Sequence, residues 1–73
     1  MAALPVLSGD DCVRALKRAG YTVLRQRGSH IRLACPGRPP VTVPMHTTLD
    51  RGTLAAILRT TQISIEQFLV LRG

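Results

Sequence analysis

The segment from His30 to Cys35 limits the possible folds of this chain more than any other, because its residues alternate strictly. Apolar side chains occupy every second position, and His30 and Arg32 lie between them. Successive side chains of a strand point to opposite faces of a sheet. The segment therefore predicts a strand with one buried face and one face open to solvent. Such a strand needs neighbouring strands at its edges and helices on its apolar face.

Three helices are predicted from capping residues and apolar spacing. Ser8 is a predicted N-cap, and apolar residues at helical spacing continue to Gly20, a glycine typical of a helix end. A second helix is predicted after Asp50. The sequence Ser64-Ile-Glu-Gln67 is a capping box, which predicts a short last helix ending near Leu71.

Two further strands complete the predicted sheet. One covers residues 21–26, although adjacent Val23 and Leu24 leave open which of its faces is buried. The other covers residues 41–43, after a break in the proline-rich segment 36–40. The expected fold is α+β with the order α-β-β-β-α, a three-stranded antiparallel sheet with helices on one face, and a short extra C-terminal helix. Double-stranded RNA-binding domains use this order, and we expect one domain over all 73 residues.

The charge of the chain indicates a polyanionic partner. Ten Lys and Arg oppose four Asp and Glu, which gives a formal net charge of +6. Such a surface attracts nucleic acids or acidic proteins, and guanidinium groups suit phosphate. Tyr21 and Phe68 are the only aromatic residues. A platform that stacks on bases, as in many single-strand binders, is therefore nearly excluded.

The remaining composition predicts a cytoplasmic protein without membrane or metal partners. Segment 1–7 is too short and lacks the basic start of a signal peptide, and no stretch has the length of a membrane span. Cys12 and Cys35 form no CxxC pair and are expected to be reduced and buried. The cysteines, His30 and His46 have no metal-ligand spacing, so no metal or cofactor is expected.

His30 is the central functional hypothesis. Its side chain should project from the open face beside Arg32, about 7 Å along the strand at roughly 3.3 Å per residue. An imidazole can remove the proton of an RNA 2′-hydroxyl near neutral pH. Arg27 and Arg32 can hold the scissile phosphate, and Ser29 can donate a hydrogen bond to a phosphate oxygen. The alternative is that His30 is merely a solvated polar residue at the start of a strand.

Two residues outside this strand are further candidates. His46, in the segment before the second helix, is interpreted as a general acid for the leaving 5′-oxygen or as a substrate contact. The alternative is a loop histidine satisfied by a backbone group. Lys17 faces outward on the first helix and is predicted to contact RNA phosphates, together with Arg27, Ser29 and Arg32.

The sequence resembles the HicA toxins of bacterial toxin–antitoxin systems from about Ser8 to Leu69. The resemblance is carried by Arg25-Gln-Arg-Gly-Ser-His30, Val43-Pro-Met-His46 and Gly52-Thr-Leu-Ala-Ala-Ile-Leu58, and the ending Ile63-Ser-Ile-Glu-Gln-Phe-Leu69 is also similar. It implies a double-stranded RNA-binding-like fold, an endoribonuclease that cleaves messenger RNA, and a HicB antitoxin as partner.

The resemblance also implies roles for single residues. His30 stands at the position of the family's catalytic histidine. Gly28 matches the glycine of the same motif and permits the tight turn that presents the histidine, at the RNA-binding site. His46 matches a Pro-x-His motif to which no catalytic role is assigned. The proline-rich segment 36–40 departs from the family and bears on substrate preference.

Three functions remain as hypotheses at this point. The main one is a metal-independent endoribonuclease toxin. The first alternative is a non-catalytic RNA-binding module in which Arg14, Lys17 and Arg27 hold phosphates and His30 is one more contact. The second is a protein-interaction module whose basic face binds an acidic partner.

Overall fold

The computed structural model describes residues 3–73 and confirms the predicted α+β fold of the double-stranded RNA-binding type. The strands form one antiparallel sheet in the order β1-β2-β3, so the strand that carries His30 is central. In chain order the elements are α1 (Gly9–Arg18), β1 (Thr22–Arg27), β2 (His30–Cys35), β3 (Arg38–Pro44), α2 (Arg51–Thr61) and α3 (Ile65–Arg72).

Helix α1 begins and ends where the sequence predicts. The Ser8 hydroxyl accepts a hydrogen bond from the backbone N–H of Asp11 at 3.0 Å, which satisfies one of the free donors of the first turn. After the helix, Gly20 has a φ of 107°. The N–H of Tyr21 donates to the Leu16 carbonyl at 3.0 Å, which completes a Schellman stop.

Helices α2 and α3 also start at their predicted caps. The Asp50 carboxylate accepts the N–H of Thr53 at 2.7 Å, and the Ser64 hydroxyl accepts the N–H of Gln67 at 3.0 Å. Gln62 joins the two helices in a left-handed conformation, with a φ of 60°. No single helix within residues 3–73 is long and apolar enough to cross a membrane. The α2–α3 pair, bent by 100°, passes the same length and composition test.

The core lies between the helices and one face of β2 and β3. Ile31, Leu33, Val41 and Val43 are buried in alternation along these strands, and they pack with apolar residues of all three helices. Cys12 is fully buried in this core. Burial raises the pKa of its thiol to about 12, so Cys12 stays protonated at physiological pH.

Strand β1 lies outside this core. All six of its residues are exposed, including Val23 and Leu24 at 42% and 60%. Helix α2 packs mainly against β3, and α1 packs against α3 and β3. The backbone ladder with β2 is therefore the main attachment of β1 to the molecule.

The proline-rich segment 36–40 is only partly a break, which corrects the prediction that the third strand starts at residue 41. Strand β3 begins at Arg38. The pairs Leu33–Val41 and Cys35–Arg38 leave one extra residue on β3 between them, which is a β-bulge. Proline is tolerated at bulges and on edge strands because it lacks a backbone N–H, and β3 is an edge strand.

Gly9 lets the start of α1 approach the end of β3. Its N–H donates to the carbonyl of His46 at 2.9 Å. A Cβ atom at this position would overlap the Pro44 carbonyl oxygen and lie 2.9 Å from the Cα of Met45. The contact is between two backbones, so neither side can move away by a rotamer change.

We predict that Gly9→Ala lowers the free energy of unfolding by about 1–3 kcal/mol, the usual cost of overpacking, as measured by urea denaturation. Gly52→Ala is the matched control. Its added Cβ would lie no closer than 3.5 Å to the nearest atom, on the exposed first turn of α2. This control should be neutral or stabilise by up to about 1 kcal/mol, because alanine is the better helix former. A Gly9→Ala protein as stable as the parent would contradict the close approach.

Candidate nucleic-acid interface

A second β-bulge, at Leu24, determines which face the arginines of β1 occupy. Val23 pairs with Leu33, but Arg25 pairs with Arg32, so β1 carries one extra residue between the two pairs. A shift of one residue moves all later side chains to the opposite face. Arg25 therefore shares the outer face of the sheet with Arg32, away from the core.

A two-residue turn places Arg27 directly opposite His30. Gly28 has a φ of 54°, whereas Ser29 lies outside the left-handed region. This combination is typical of a type II′ hairpin, whose first central residue is usually glycine. The Ser29 carbonyl also accepts the N–H of Met45, which ties the turn to the end of β3. His30 is thus held as the first residue of β2, paired with Arg27 across the ladder.

The outer face contains a shallow cleft, here called the His30 cleft. It has a volume of about 160 Å³ and is lined by Arg25, Arg27, His30, Arg32 and Thr42. His30 is exposed, whereas Arg32 is half-buried. A terminal nitrogen of Arg32 donates to the Thr42 hydroxyl at 3.0 Å, so this guanidinium is held across the neighbouring strand.

No carboxylate of the described residues lines the His30 cleft. Within residues 3–73, the side chains of Arg25 and Arg27 have no ion-pair or hydrogen-bond partner. The carboxylates lie on or before the helices, at Asp10, Asp11, Asp50 and Glu66. The positive charge of the cleft is therefore available to phosphate oxygens.

Three arginines outside the cleft, Arg14, Arg18 and Arg38, have partners within the fold. Arg14 pairs with Asp10 and Asp11 on α1, and its hydrogen bond lowers the pKa of Asp11. Arg18 donates to the carbonyl of Leu71 at 2.7 Å, and Arg38 donates to the carbonyl of Thr61 at the same distance. Both of these guanidinium groups satisfy carbonyls at helix ends.

The basic residues of the cleft face one another across the β1–β2 ladder. Arg25 is the partner of Arg32, and Arg27 is the partner of His30. Like charges directly opposite on a sheet destabilise it. The fold does not require basic residues at these outer-face positions, because neutral polar residues there would keep the same alternation of buried and exposed side chains. The arrangement indicates a binding function at this face.

The cleft unites only part of the residue set predicted from the sequence. His30, Arg27 and Arg32 line it, and the Gly28–Ser29 turn lies beside it without lining it. Lys17 is exposed on α1, which packs on the core face of the sheet, so the structure does not bring it to the cleft.

His46 does not line the cleft either. It is exposed after β3, and its carbonyl accepts the N–H of Gly9. Hydrogen bonds from Thr53 lower the pKa of Asp50, and the nearby His46 adds a smaller effect in the same direction.

Within residues 3–73, His, Cys, Asp and Glu form no group of three that could hold a metal ion. This geometry tests neither the predicted role of His46 as a general acid or substrate contact nor the expected absence of a metal.

Arg25 and Thr42 were not predicted as site residues. The arginine reaches the cleft only because of the bulge at Leu24. Two adjacent apolar residues in a predicted strand were the available signal, since such a pair is expected where alternation is interrupted. Thr42 could have been found by continuing the alternation of β3 from buried Val41 and Val43.

These features define a class of protein, namely a small domain with a double-stranded RNA-binding-like fold and an uncompensated basic cleft on its open sheet face. The sequence model of the family described as HicA toxin of bacterial toxin–antitoxin systems matches residues 9–63. The chain therefore belongs to the HicA toxin family. Comparison with curated proteins finds no match.

Family membership makes this chain the toxin of a toxin–antitoxin system. It supports nuclease activity on messenger RNA at the level of the family, and in general an RNA target and an antitoxin partner. The match assigns no role to single side chains. The roles of His30, Lys17 and the arginines therefore stay predictions.

We predict that Arg25→Thr stabilises the protein while it weakens RNA binding. Removal of the like-charge pair with Arg32 should raise the free energy of unfolding by about 0.2–1 kcal/mol. Loss of one phosphate contact should reduce the slope of log K against log salt by about 0.7 for single-stranded RNA. Urea denaturation and fluorescence anisotropy at several salt concentrations measure the two effects.

Lys17→Ala is the comparison for this experiment. If RNA contacts only the outer face of the sheet, this variant keeps the parental slope of log K against log salt. If Lys17 holds a phosphate, as predicted from the sequence, the slope of this variant is reduced as well. An Arg25→Thr protein that is less stable, or that keeps the full slope, would show that Arg25 serves the fold rather than RNA.

Proposed function

We propose that this toxin is a metal-independent endoribonuclease that cleaves messenger RNA with His30 as the general base. One observation carries the proposal, namely that the exposed imidazole of His30 lies in a cleft with three arginines and no carboxylate. A basic cleft attracts a phosphodiester, and an imidazole can accept a proton from the adjacent 2′-hydroxyl. The family supports the nuclease class.

The proposed reaction is an internal transesterification. His30 takes the proton of the 2′-hydroxyl, and the 2′-oxygen forms a bond to phosphorus. The bond from phosphorus to the 5′-oxygen breaks, and this oxygen takes up a proton from the imidazolium or from water. The products are a 2′,3′-cyclic phosphate and a 5′-hydroxyl. No metal is needed to generate the nucleophile, because His30 removes the proton of the 2′-hydroxyl.

The arginines have distinct positions for this reaction. Arg27 stands directly opposite His30 on the ladder, where paired Cα atoms are about 4.5–5.5 Å apart. Arg32 lies two residues farther along β2 and is held by Thr42. Two guanidinium groups on different sides of the imidazole can hold the non-bridging oxygens and offset the charge that develops on them. In this arrangement Ser29 stays available for a phosphate contact at the turn.

A non-catalytic RNA-binding module is the second candidate. The observation in its favour is that the cleft holds a single imidazole, because His46 does not line it. Cleavage with one general base requires water or the same imidazole to protonate the leaving group. A basic cleft with one histidine can also simply bind phosphates.

Replacement of His30 separates these two functions. We predict that His30→Ala changes the free energy of unfolding by less than about 0.5 kcal/mol, because the side chain is exposed. Cleavage of unstructured RNA in excess EDTA should be lost, as should growth inhibition. The parent protein should leave 2′,3′-cyclic phosphate ends and should not cut at a 2′-deoxy position.

His46→Ala is the matched control, since it removes the only other imidazole of the chain. Retained cleavage by this variant would show that His46 is not the general base and would leave His30 as the only imidazole for this role. Cleavage by His30→Ala at the parental rate, or a strict magnesium requirement, would contradict the mechanism. RNA binding without cleavage by the parent protein would favour the non-catalytic module.

We also propose that this toxin acts in the cytoplasm and is inhibited by a HicB-type antitoxin. The family supports an antitoxin in general. The apolar faces of the helices are already used in the core, whereas the His30 cleft offers uncompensated positive charge. An antitoxin that covers this cleft with Asp and Glu would block RNA directly and would associate quickly through electrostatic steering.

We predict that Arg27→Glu with Arg32→Glu slows association with the antitoxin far more than it speeds dissociation, as measured by stopped-flow fluorescence. Arg51→Glu with Arg59→Glu is the control, because it changes the net charge equally at exposed positions of α2 outside the cleft. Equal slowing by both pairs would indicate a general charge effect. A complex in which His30 is open to solvent would exclude occlusion.

A further inference from the structure

A larger groove runs beside the His30 cleft, between β3 and α2, and is here called the β3–α2 groove. It has a volume of about 350 Å³, at the lower end of the range of ~300–1,000 Å³ for small-molecule sites. The groove exists because α2 lies along the edge of the sheet. One side of the helix packs on the core through Leu54 and Leu58, and Thr53, Ala56 and Thr60 line the groove.

The β3–α2 groove adjoins the His30 cleft. Arg32 and Thr42 line both of them, and the hydrogen bond between these two side chains forms the shared wall. A phosphate held by Arg32 therefore lies at the boundary between the two sites. The nucleoside next to that phosphate is within reach of the groove.

The chemistry of the groove differs from that of the cleft. Among the described residues that line the groove, Arg32 is the only charged one. Pro40 and Ala56 contribute apolar surface, and Thr53 and Thr60 contribute hydroxyl groups. A hydroxyl can both donate and accept hydrogen bonds. Such a groove suits an uncharged ring with polar edges better than it suits a phosphate, which three arginines attract into the cleft.

We propose that the β3–α2 groove binds the base of the nucleotide next to the scissile phosphate and thereby contributes to the choice of cleavage site. The proposal rests on the ribonuclease function proposed above. It also explains how a protein with both aromatic residues buried can contact a base without stacking on it. An acidic peptide is a poorer occupant, because a single guanidinium lines the groove.

The test measures binding in the His30→Ala background, so that the RNA stays intact. The ligands are RNA oligonucleotides of about four nucleotides, a short single-strand site, either complete or with one base removed at each position in turn. We expect removal of one particular base to weaken binding about tenfold, as for loss of a group from an apolar pocket. Ala56→Met should fill the groove and weaken binding of complete RNA by about the same factor as removal of that base. In this variant, removal of the base should cause no further loss of affinity.

Ala55→Met is the matched control, because it makes the same substitution on the same helix at a half-buried residue outside the groove. It should keep the parental affinity and the sensitivity to the missing base. Thr60→Leu narrows the groove from an exposed position and serves as a second variant if Ala56→Met lowers the melting temperature. It should show the same loss of sensitivity as Ala56→Met.

Several outcomes would overturn the proposal. One is that both groove variants bind complete RNA like the control. Another is that they lose the same factor on complete and base-lacking RNA, which would mean that the groove and the base act independently. Weakened binding of the antitoxin with unchanged binding of RNA would assign the groove to a protein partner instead.

Cleavage by the proteins that retain His30 distinguishes this proposal from the ribonuclease proposal. If the parent binds RNA with the expected base dependence but does not cut it, the ribonuclease function fails and the base site stands. If the parent cuts RNA through His30, but Ala56→Met and Thr60→Leu cut the same sites with the same preference, the groove proposal alone fails.

Discussion

Burial of one face of the central strand is the constraint on which the other features depend. Ile31 and Leu33 must be covered by helices, because they are large apolar side chains in the middle of the sheet. The pleat of the strand then forces His30 and Arg32 to the opposite face. The same apolar pattern that stabilises the fold therefore positions the imidazole. Substitutions that reverse the register of β2 would remove the core and the cleft together.

Strand β1 differs from the other two strands because it is attached to the molecule with little apolar burial. The helices cover β2 and β3, so β1 gains little from apolar burial and is exposed along its length. Its bulge places Arg25 against Arg32, a pairing that costs stability. A strand that contributes little to the core can accept this cost without unfolding the rest of the domain. The strand with the least apolar burial is thus the one that supplies two of the three cleft arginines.

The sequence predicted those elements that depend on local chemistry. The caps at Ser8, Asp50 and Ser64 are confirmed, because a cap needs only a few neighbouring residues. The adjacent Val23 and Leu24 indicate that alternation is interrupted in β1, but they do not show which residue is the extra one, because this depends on the register between β1 and β2. The start of β3 was misjudged because proline is acceptable at an edge bulge, which is a property of the assembled sheet.

The small size of the core limits where binding can occur. Most large apolar residues of the helices pack against the interior. Within residues 3–73, the open sheet face and its junction with α2 are concave surfaces that carry positive charge and no carboxylate. Arg27 lies opposite His30 and Arg32 lies two residues beyond it. An acidic partner that neutralises these guanidinium groups must also cover the imidazole. If the antitoxin recognises these arginines as proposed, the toxin cannot lose them without also losing its proposed contacts to the RNA phosphate.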